Sequence, residues 1–536
     1  MDMDTRHWLS PIPDEVFFEA CRIFFLHCHR KPYCLFNAEL FHRRRVEHRV
    51  PPYLRLAIIA SAVRYSRHSQ WKEQKQRTID SYAQCAWSLI TSPDALDGTD
   101  DVSGIQALAL LAIIDATAGR RRAAWVKIGM AVRISQDLYM MLEPDPSLSD
   151  EERDERRNLF WSLYLLDRFI CCSFERPPAI KDADCLLSLP DRPVTLHQLL
   201  DVGLQKDSPR SHLFPLSVGL AALLGRAVDC MMRKEPGVEP WRRQSDYSVI
   251  HDRLELLKGL TGEDEMTVVD GKQSTHMVLS RTLYHLIHCI LKHPFLLGVK
   301  MQAHRSSSVP PVWAGEARTS CLAHASSLTT LLVDAQAAGY MPVPSFYSYC
   351  ILVAGTVHAL HLYGPDSSVS QRSSEYLKIS LEYLAQITEF WENAQLMVDI
   401  LRFFTNRCVR YSNLLLRDEP CIEELTSTDV TVLRSVVDYW TMMDPRNPVA
   451  DLNSINIDCF PSPPVTDNTF FETASPDPTA TVSPHMKSPD GMAGPQDLFM
   501  DPKLLFQENT IASPASNDEE DFSNWHWESE INALTS

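Results

Sequence analysis

Residues 149–190 combine a charged helix start, a wide apolar stripe and a double-proline stop, and a buried helix satisfies all three. Ser149 followed three residues later by Glu152 is a capping-box pattern, and the acidic run Asp150-Glu151-Glu152 suits the positive end of a helix dipole. Leu159, Leu163, Leu166 and Ile170 then step by three and four residues, giving one apolar face at helical period. Phe160, Trp161 and Tyr164 widen that face beyond what a surface helix buries, so the spacing predicts a helix enclosed on more than one side. Arg176-Pro177-Pro178 stops it, because proline donates no N–H and its ring crowds the preceding turn. The charged groups on this stretch, Glu155-Arg156-Arg157 and Asp167-Arg168, read as packing ion pairs and helix-end contacts rather than as a catalytic acid and base.

The rest of the body carries the same period. Helices are expected over residues 14–30, 53–67, 71–90 and 102–118, and again around Trp125, Ala131 and Leu138. Residues 32–37 between the first two read as a turn or extended piece. Further helices are expected over 279–297, 375–386, 396–416 and 430–443. Residues 335–365 hold no Asp, Glu, Lys or Arg, but Pro342, Pro344, Gly355, His358 and His361 interrupt the apolar run. A buried core helix therefore fits better than a membrane span, which needs roughly 20 sustained apolar residues. Without alternating strand–helix signals or a fixed-period repeat, the expected class is all-α.

The ordered set Glu155, Arg156, Arg157, Phe160, Trp161, Tyr164, Asp167, Arg168, Arg176, Pro177, Ile180, Asp182, Leu189 and Pro190 resembles the middle homology region of fungal zinc-cluster transcription factors. Glu175 stands where that family usually carries glycine, and His293 where Tyr284…His293-Pro294-Phe295-Leu296 would usually have arginine. The resemblance implies a large helical regulatory domain over 14–448 after a short lead, 1–13. It also implies a nuclear regulator of metabolic genes, with a small effector in its core and a homo- or heterodimer as the working form.

The chemistry of that family's DNA reader is not legible here. Two zinc ions sharing thiolates need six cysteines beginning Cys-x2-Cys-x6-Cys. The nearest run, Cys21, Cys28 and Cys34, lacks the Cys-x2-Cys and lies on an apolar helix. The fourteen cysteines are scattered, and no apolar leader follows Met1, so free thiols in a reducing compartment are expected. No cofactor is expected in this chain, zinc entering only with a cluster upstream of it. DNA contact would then be direct, through such a cluster, or through a zinc-cluster partner for which this chain acts as coregulator. His285-x2-His288 and His358-x2-His361 read as packed pairs, since no acidic or cysteine partner stands at ligand spacing. Gly271-Lys272-Gln273-Ser274 lacks the first glycine of a phosphate loop, and Asp100-Asp101 lacks the further carboxylate of a magnesium motif. Arg43-Arg44-Arg45 and Arg120-Arg121-Arg122 read as solvated charged faces.

Charge is uneven. From residue 451 onward fifteen acidic residues stand against two lysines, a net of −13, which leaves −5 for the preceding 450 residues. Ten prolines and few apolar stripes predict that 449–536 is disordered. Leu498, Phe499, Leu504, Leu505 and Phe506, and then Phe522, Trp525 and Trp527, are interleaved with Asp and Glu. This is the composition of an acidic activation segment, whose charges keep aromatics accessible to a coactivator groove. Five Ser-Pro pairs in the tail (Ser462, Ser475, Ser483, Ser488, Ser513) are candidate phosphorylation sites. The rival reading is a cytoplasmic helical enzyme or scaffold with a solubilising tail; it has no site constellation to support it.

Overall fold

The computed structural model describes residues 12–65, 75–92, 101–174, 177–190, 192–203, 213–232, 241–261, 275–301, 310–338 and 345–416. The segment 430–443, the tail 449–536 and Arg176 lie outside them, as do the aromatic residues of the tail.

The chain begins with α1 (Asp14–His27), α2 (Ala38–Val46), α3 (Pro52–Val63) and α4 (Lys75–Ile90). Next come α5 (Asp101–Thr117), α6 (Arg121–Asp137) and the long α7 (Asp150–Phe174). A single 3-10 turn (Asp182–Asp184) and the short α8 (Leu196–Val202) lead to α9 (Leu213–Met232) and α10 (Asp246–Thr261). The remainder is α11 (Thr275–Met301), α12 (Pro311–Ala337), α13 (Phe346–Leu360), α14 (Ser367–Ile387) and α15 (Asn393–Leu416). Among the described residues there is no strand, only an isolated antiparallel bridge between Ser188 and Thr195. The protein is all-α.

Local chemistry sets several boundaries. Ser149 and Glu152 form the reciprocal capping box before α7, the Glu152 amide donating to Ser149 Oγ and the Ser149 amide to Glu152 Oε2. Thr195 and Gln198 repeat the device at α8, and Asn37 accepts from the Leu40 amide at α2. Pro52 opens α3, where a missing N–H costs nothing. After α5 the chain turns through Gly119 at φ +72°, and the Arg120 amide reaches back to the Asp115 carbonyl. A side chain at Gly119 would be strained in that left-handed conformation.

Packing is sequential at both ends and joined in the middle. Helices α1, α3, α4, α5 and α6 stack as neighbouring pairs, while α11 to α15 pack around α13. Helix α7 touches α2, α5, α6 and α9, and α9 in turn packs on α11, so one apolar core runs through both halves. In α7 the residues Leu159, Phe160, Trp161, Leu163, Tyr164, Leu165 and Leu166 are all buried, which is the enclosure that its wide stripe predicted. Residues 346–359 of α13 are buried on every face. Leu213–Cys230 in α9 is long and apolar enough to cross a membrane, but that window is 67% buried against its neighbours and behaves as a core helix.

Within the second half the helices meet closely enough that small residues matter. A Cβ on Gly355 of α13 would stand 2.7 Å from Leu401 Cδ2 of α15. Gly355→Val should therefore cost about 1–3 kcal/mol, read as a lowered melting temperature, whereas Gly315→Ala, where a Cβ meets nothing within 4 Å, should not.

Burial also sets a pH dependence. Desolvation lowers His29, His276, His293 and His358 from 6.5 to about 3. The folded state keeps these rings neutral while the unfolded chain protonates them, so their contribution is complete above pH 6.5 and is lost as pH falls toward about 3. Melting temperature should fall steadily from pH 7.5 to pH 5, and replacing His293 with Gln should flatten that slope.

Candidate functional site

The signature residues gather on one side of α7 and hold down the segment that follows it. Asp167 is fully buried, and its carboxylate accepts from the Ala179 and Ile180 amides at 3.1 and 3.0 Å. Arg168 donates to Asp167 at 3.1 Å, to the Ile180 carbonyl at 2.8 Å and to Asp182 Oδ1 at 2.7 Å. The Tyr164 hydroxyl donates to the same Asp182 oxygen at 2.7 Å, and its ring lies under the Arg168 guanidinium. Arg226 of α9 closes the set on Asp182 Oδ2 at 3.1 Å. Burial pushes Asp167 above its usual range despite Arg168. For Asp182, burial is outweighed by Arg168, Tyr164 and Arg226, which hold its carboxyl below that range. Trp161 Nε1 donates to the Ser188 carbonyl at 2.8 Å, and Pro190 is buried whereas Pro177 is exposed.

The start of α7 is tied to the opposite side. Buried Glu155 accepts from Arg44 at 2.9 Å, Gln106 at 3.2 Å and the Asn37 amide at 3.4 Å, joining α2, α5 and the turn before α2. Burial raises its pKa, with Arg44 pulling the other way. Ser162 Oγ accepts the Cys34 amide at 2.8 Å. Arg157 pairs with Asp154 and Glu143, and Glu143 also receives the Ser188 amide; Arg156 is half-buried beside them. Sequence reasoning assigned the two arginine runs to solvated faces. Instead Arg44 anchors Glu155, and Arg120 bridges Asp80 and Asp115, because the fold brings buried carboxylates to them.

A cavity of about 110 Å³ opens beside this framework. Its wall is built by α1, α3, α5, α7 and α13, the turn 28–35 and the start of α15. Phe24, Leu110, Leu166, Phe169, Ile170, Phe346 and Met397 make it mainly apolar, and Phe169 stacks on Phe346 at 4.0 Å. Arg64 is the exception. It is 3% exposed, donates to the Phe390 carbonyl at 2.9 Å and more weakly to Thr117, and lies over the Trp391 ring. Among the described residues no carboxylate pairs with it, and burial lowers its pKa. Lys31 lies on the same wall, held by the Leu26 carbonyl at 2.6 Å. Asn393 Oδ1 is buried there with no hydrogen-bond partner among the described residues. The site can take a small, mostly apolar molecule with an anionic group and a hydrogen-bond donor. It shows no arrangement of nucleophile and base.

Sequence reasoning missed this cavity, and also Gly225, where a Cβ would stand 2.8 Å from Arg168 Cδ. A lone arginine at the end of an apolar helix was the only sequence signal for Arg64. Cys21, Cys28 and Cys34 are free thiols packed in or against the core, and burial pushes Cys21 and Cys28 up to about 12. His358 shares a hydrogen bond with Thr329 and His361 with the Val357 carbonyl.

Residues 21–249, which include the whole of α7 and the strap 177–190 that follows it, match the fungal specific transcription factor domain. The chain is 23% identical over 433 residues to the Zn(2)-C6 fungal-type transcription factor FTF1c of Fusarium oxysporum f. sp. lycopersici, covering 73% of this chain and 45% of that protein. It is 29% identical over 339 residues to the nitrogen assimilation transcription factor nirA of Emericella nidulans, covering 60% and 36%. An uncharacterized transcriptional regulatory protein of Schizosaccharomyces pombe is 23% identical over 469 residues, covering 72% and 47%. The chain thus spans less than half the length of each of these relatives, and its own sequence holds no six-cysteine zinc cluster. Over residues 21–249 the chain thus carries the fungal specific transcription factor domain, and it is similar to fungal Zn(2)-C6 transcription factors over most of its length.

Proposed function

We propose that the protein is a nuclear transcriptional regulator of metabolic genes, whose helical body gates the acidic segment 449–536 in response to a small effector. The observation that carries the effector is Arg64, a buried cation without a carboxylate partner among the described residues, on the wall of an apolar cavity. Burying an unpaired guanidinium is costly, and an anionic ligand would relieve that cost. Helix α7 gives the ligand a route outward. Leu166, Phe169 and Ile170 line the cavity, whereas Asp167 and Arg168, in the same turn, hold residues 179–182. A shift of that turn on ligand binding would be felt by the strap. The working form is a dimer, acting at promoters through a zinc-cluster module on the same polypeptide or on a partner, and the tail recruits a coactivator.

Two measurements test this. Residues 451–536 fused to an unrelated DNA-binding domain should activate a reporter, and replacing Phe522, Trp525 and Trp527 with Ala should abolish it. A silent fusion, or a full chain excluded from the nucleus, would sink the regulator reading. For the cavity, octanoate should raise the melting temperature of the full chain with saturating dose dependence, and Arg64→Met should remove that rise. An equal rise in the variant would show that the carboxylate does not meet Arg64.

A further inference from the structure

Helices α10, α11 and α12 bring together a group of histidines that no spacing in the sequence connects. His251 and Glu255 stand four residues apart on α10 and so share a face. Opposite them on α11 is His288, 1% exposed, whose Nε2 is buried with no hydrogen-bond partner among the described residues. One donor atom from each of His251, Glu255 and His288 lies within 4.8 Å of the others. The His288 ring is fixed by its surroundings: His324 of α12 stacks on it at 4.0 Å, nearly parallel, and His251 meets it edge-on at 5.7 Å. His324 Nδ1 lies 2.9 Å from His285 Nδ1, so the stacking ring is itself held in place. The approach is open, since Glu255 is exposed and His251 half-buried.

We propose that His251, Glu255 and His288 form a binding site for a divalent transition-metal ion of the zinc type. Two imidazoles and one carboxylate leave the fourth position of a tetrahedral ion for water or an incoming ligand. Bonds of about 2.0–2.2 Å put tetrahedral donors about 3.3–3.6 Å apart, so the side chains must close by at most about 1.5 Å. The exposed Glu255 and half-buried His251 can make that movement by rotamer changes while His288 stays fixed. The His288 ring thus combines a buried Nε2 that has no partner among the described residues with a donor atom within 4.8 Å of a Glu255 oxygen and a His251 nitrogen. The other ring nitrogen, Nδ1, faces a cation. Lys292 Nζ lies 3.4 Å from Nδ1 and also donates to Ser320 Oγ. Coordination through Nε2 places the imidazole proton on Nδ1, and Lys292 then relies on Ser320 alone. Tyr284, whose hydroxyl donates to Glu255 Oε1 at 3.4 Å, can orient the carboxylate. The bound ion would clip α10 to α11.

The test uses the full chain and zinc chloride. Metal bound in competition with a chromophoric chelator should exceed that of Glu255→Gln and of His251→Asn by one equivalent, with at least about tenfold weaker binding of that equivalent in each variant. Both substitutions lie on the accessible side of the site, so folding is retained, and matching apo melting temperatures would verify that. Zinc should raise the melting temperature of the native chain and not of the variants. Equal stoichiometry and equal thermal shifts in all three chains would overturn the site and assign bound metal to scattered thiols, and no bound zinc in any chain would overturn it as well. The effector reading above survives either result, since the cavity shares no residue with this site.

Discussion

The fold depends on the buried charge set that Asp167, Arg168 and Asp182 make on one side of α7. An arginine 4% exposed beside a carboxylate 0% exposed is tolerated only when all its donors and acceptors are used. Here they are. Asp167 takes two backbone amides as well as Arg168, and Arg168 takes a carbonyl as well as two carboxylates. Removing one partner from such a set typically costs about 3–5 kcal/mol, because the remaining charge stays buried. An apolar substitute for the whole set could be as stable, but it would not specify where residues 179–182 lie. These charges fix position more than they add stability.

That positioning explains why α7 is enclosed on so many sides. Its first turns are held by Glu155 to α2 and α5, and its last turns by Asp167 and Arg168 to the returning segment, which Asp182 ties in turn to Arg226 of α9. Between these two anchors the apolar residues have no freedom to rotate about the helix axis. Phe169 and Ile170 therefore present a defined wall to the cavity, and Phe346 of α13 stacks against that wall. The cavity lies where the N-terminal helices meet α13 and α15, so its contents bear on both halves of the core. A ligand there would alter packing between halves as well as within one.

Much of this was legible locally. Ser149 with Glu152 marks the start of α7, and the stripe from Leu159 to Ile170, widened by aromatics, marks its burial, because capping and periodicity are properties of neighbouring residues. The identities of partners were not. Arg44 and Glu155 are 111 residues apart, and nothing in either local sequence says that the first arginine run meets a buried carboxylate. Gly225 looks like an ordinary helix glycine until Arg168 fills the space its side chain would need. The short helix α2 escaped notice because its polar sequence, with three consecutive arginines, shows little apolar period. Arg64 reads as the charged end of α3, and its burial emerges only when Trp391 and Phe390 close over it from the far end of the domain.

The histidine group shows the same limit from the other direction. His285 and His288, taken along α11, lack a third ligand at usable spacing, and the packed-pair reading follows from that. The third dimension adds Glu255 and His251 from α10 and a stacking ring from α12. Helical periodicity determines which face a residue occupies, but crossing geometry determines which faces meet. In an all-α domain of this size, α7 could be read from its own residues, whereas the cavity and the histidine group belong to helix crossings. Chemistry that is absent from every local motif can therefore still be built by the fold, at the junctions of helices whose sequences individually look like core.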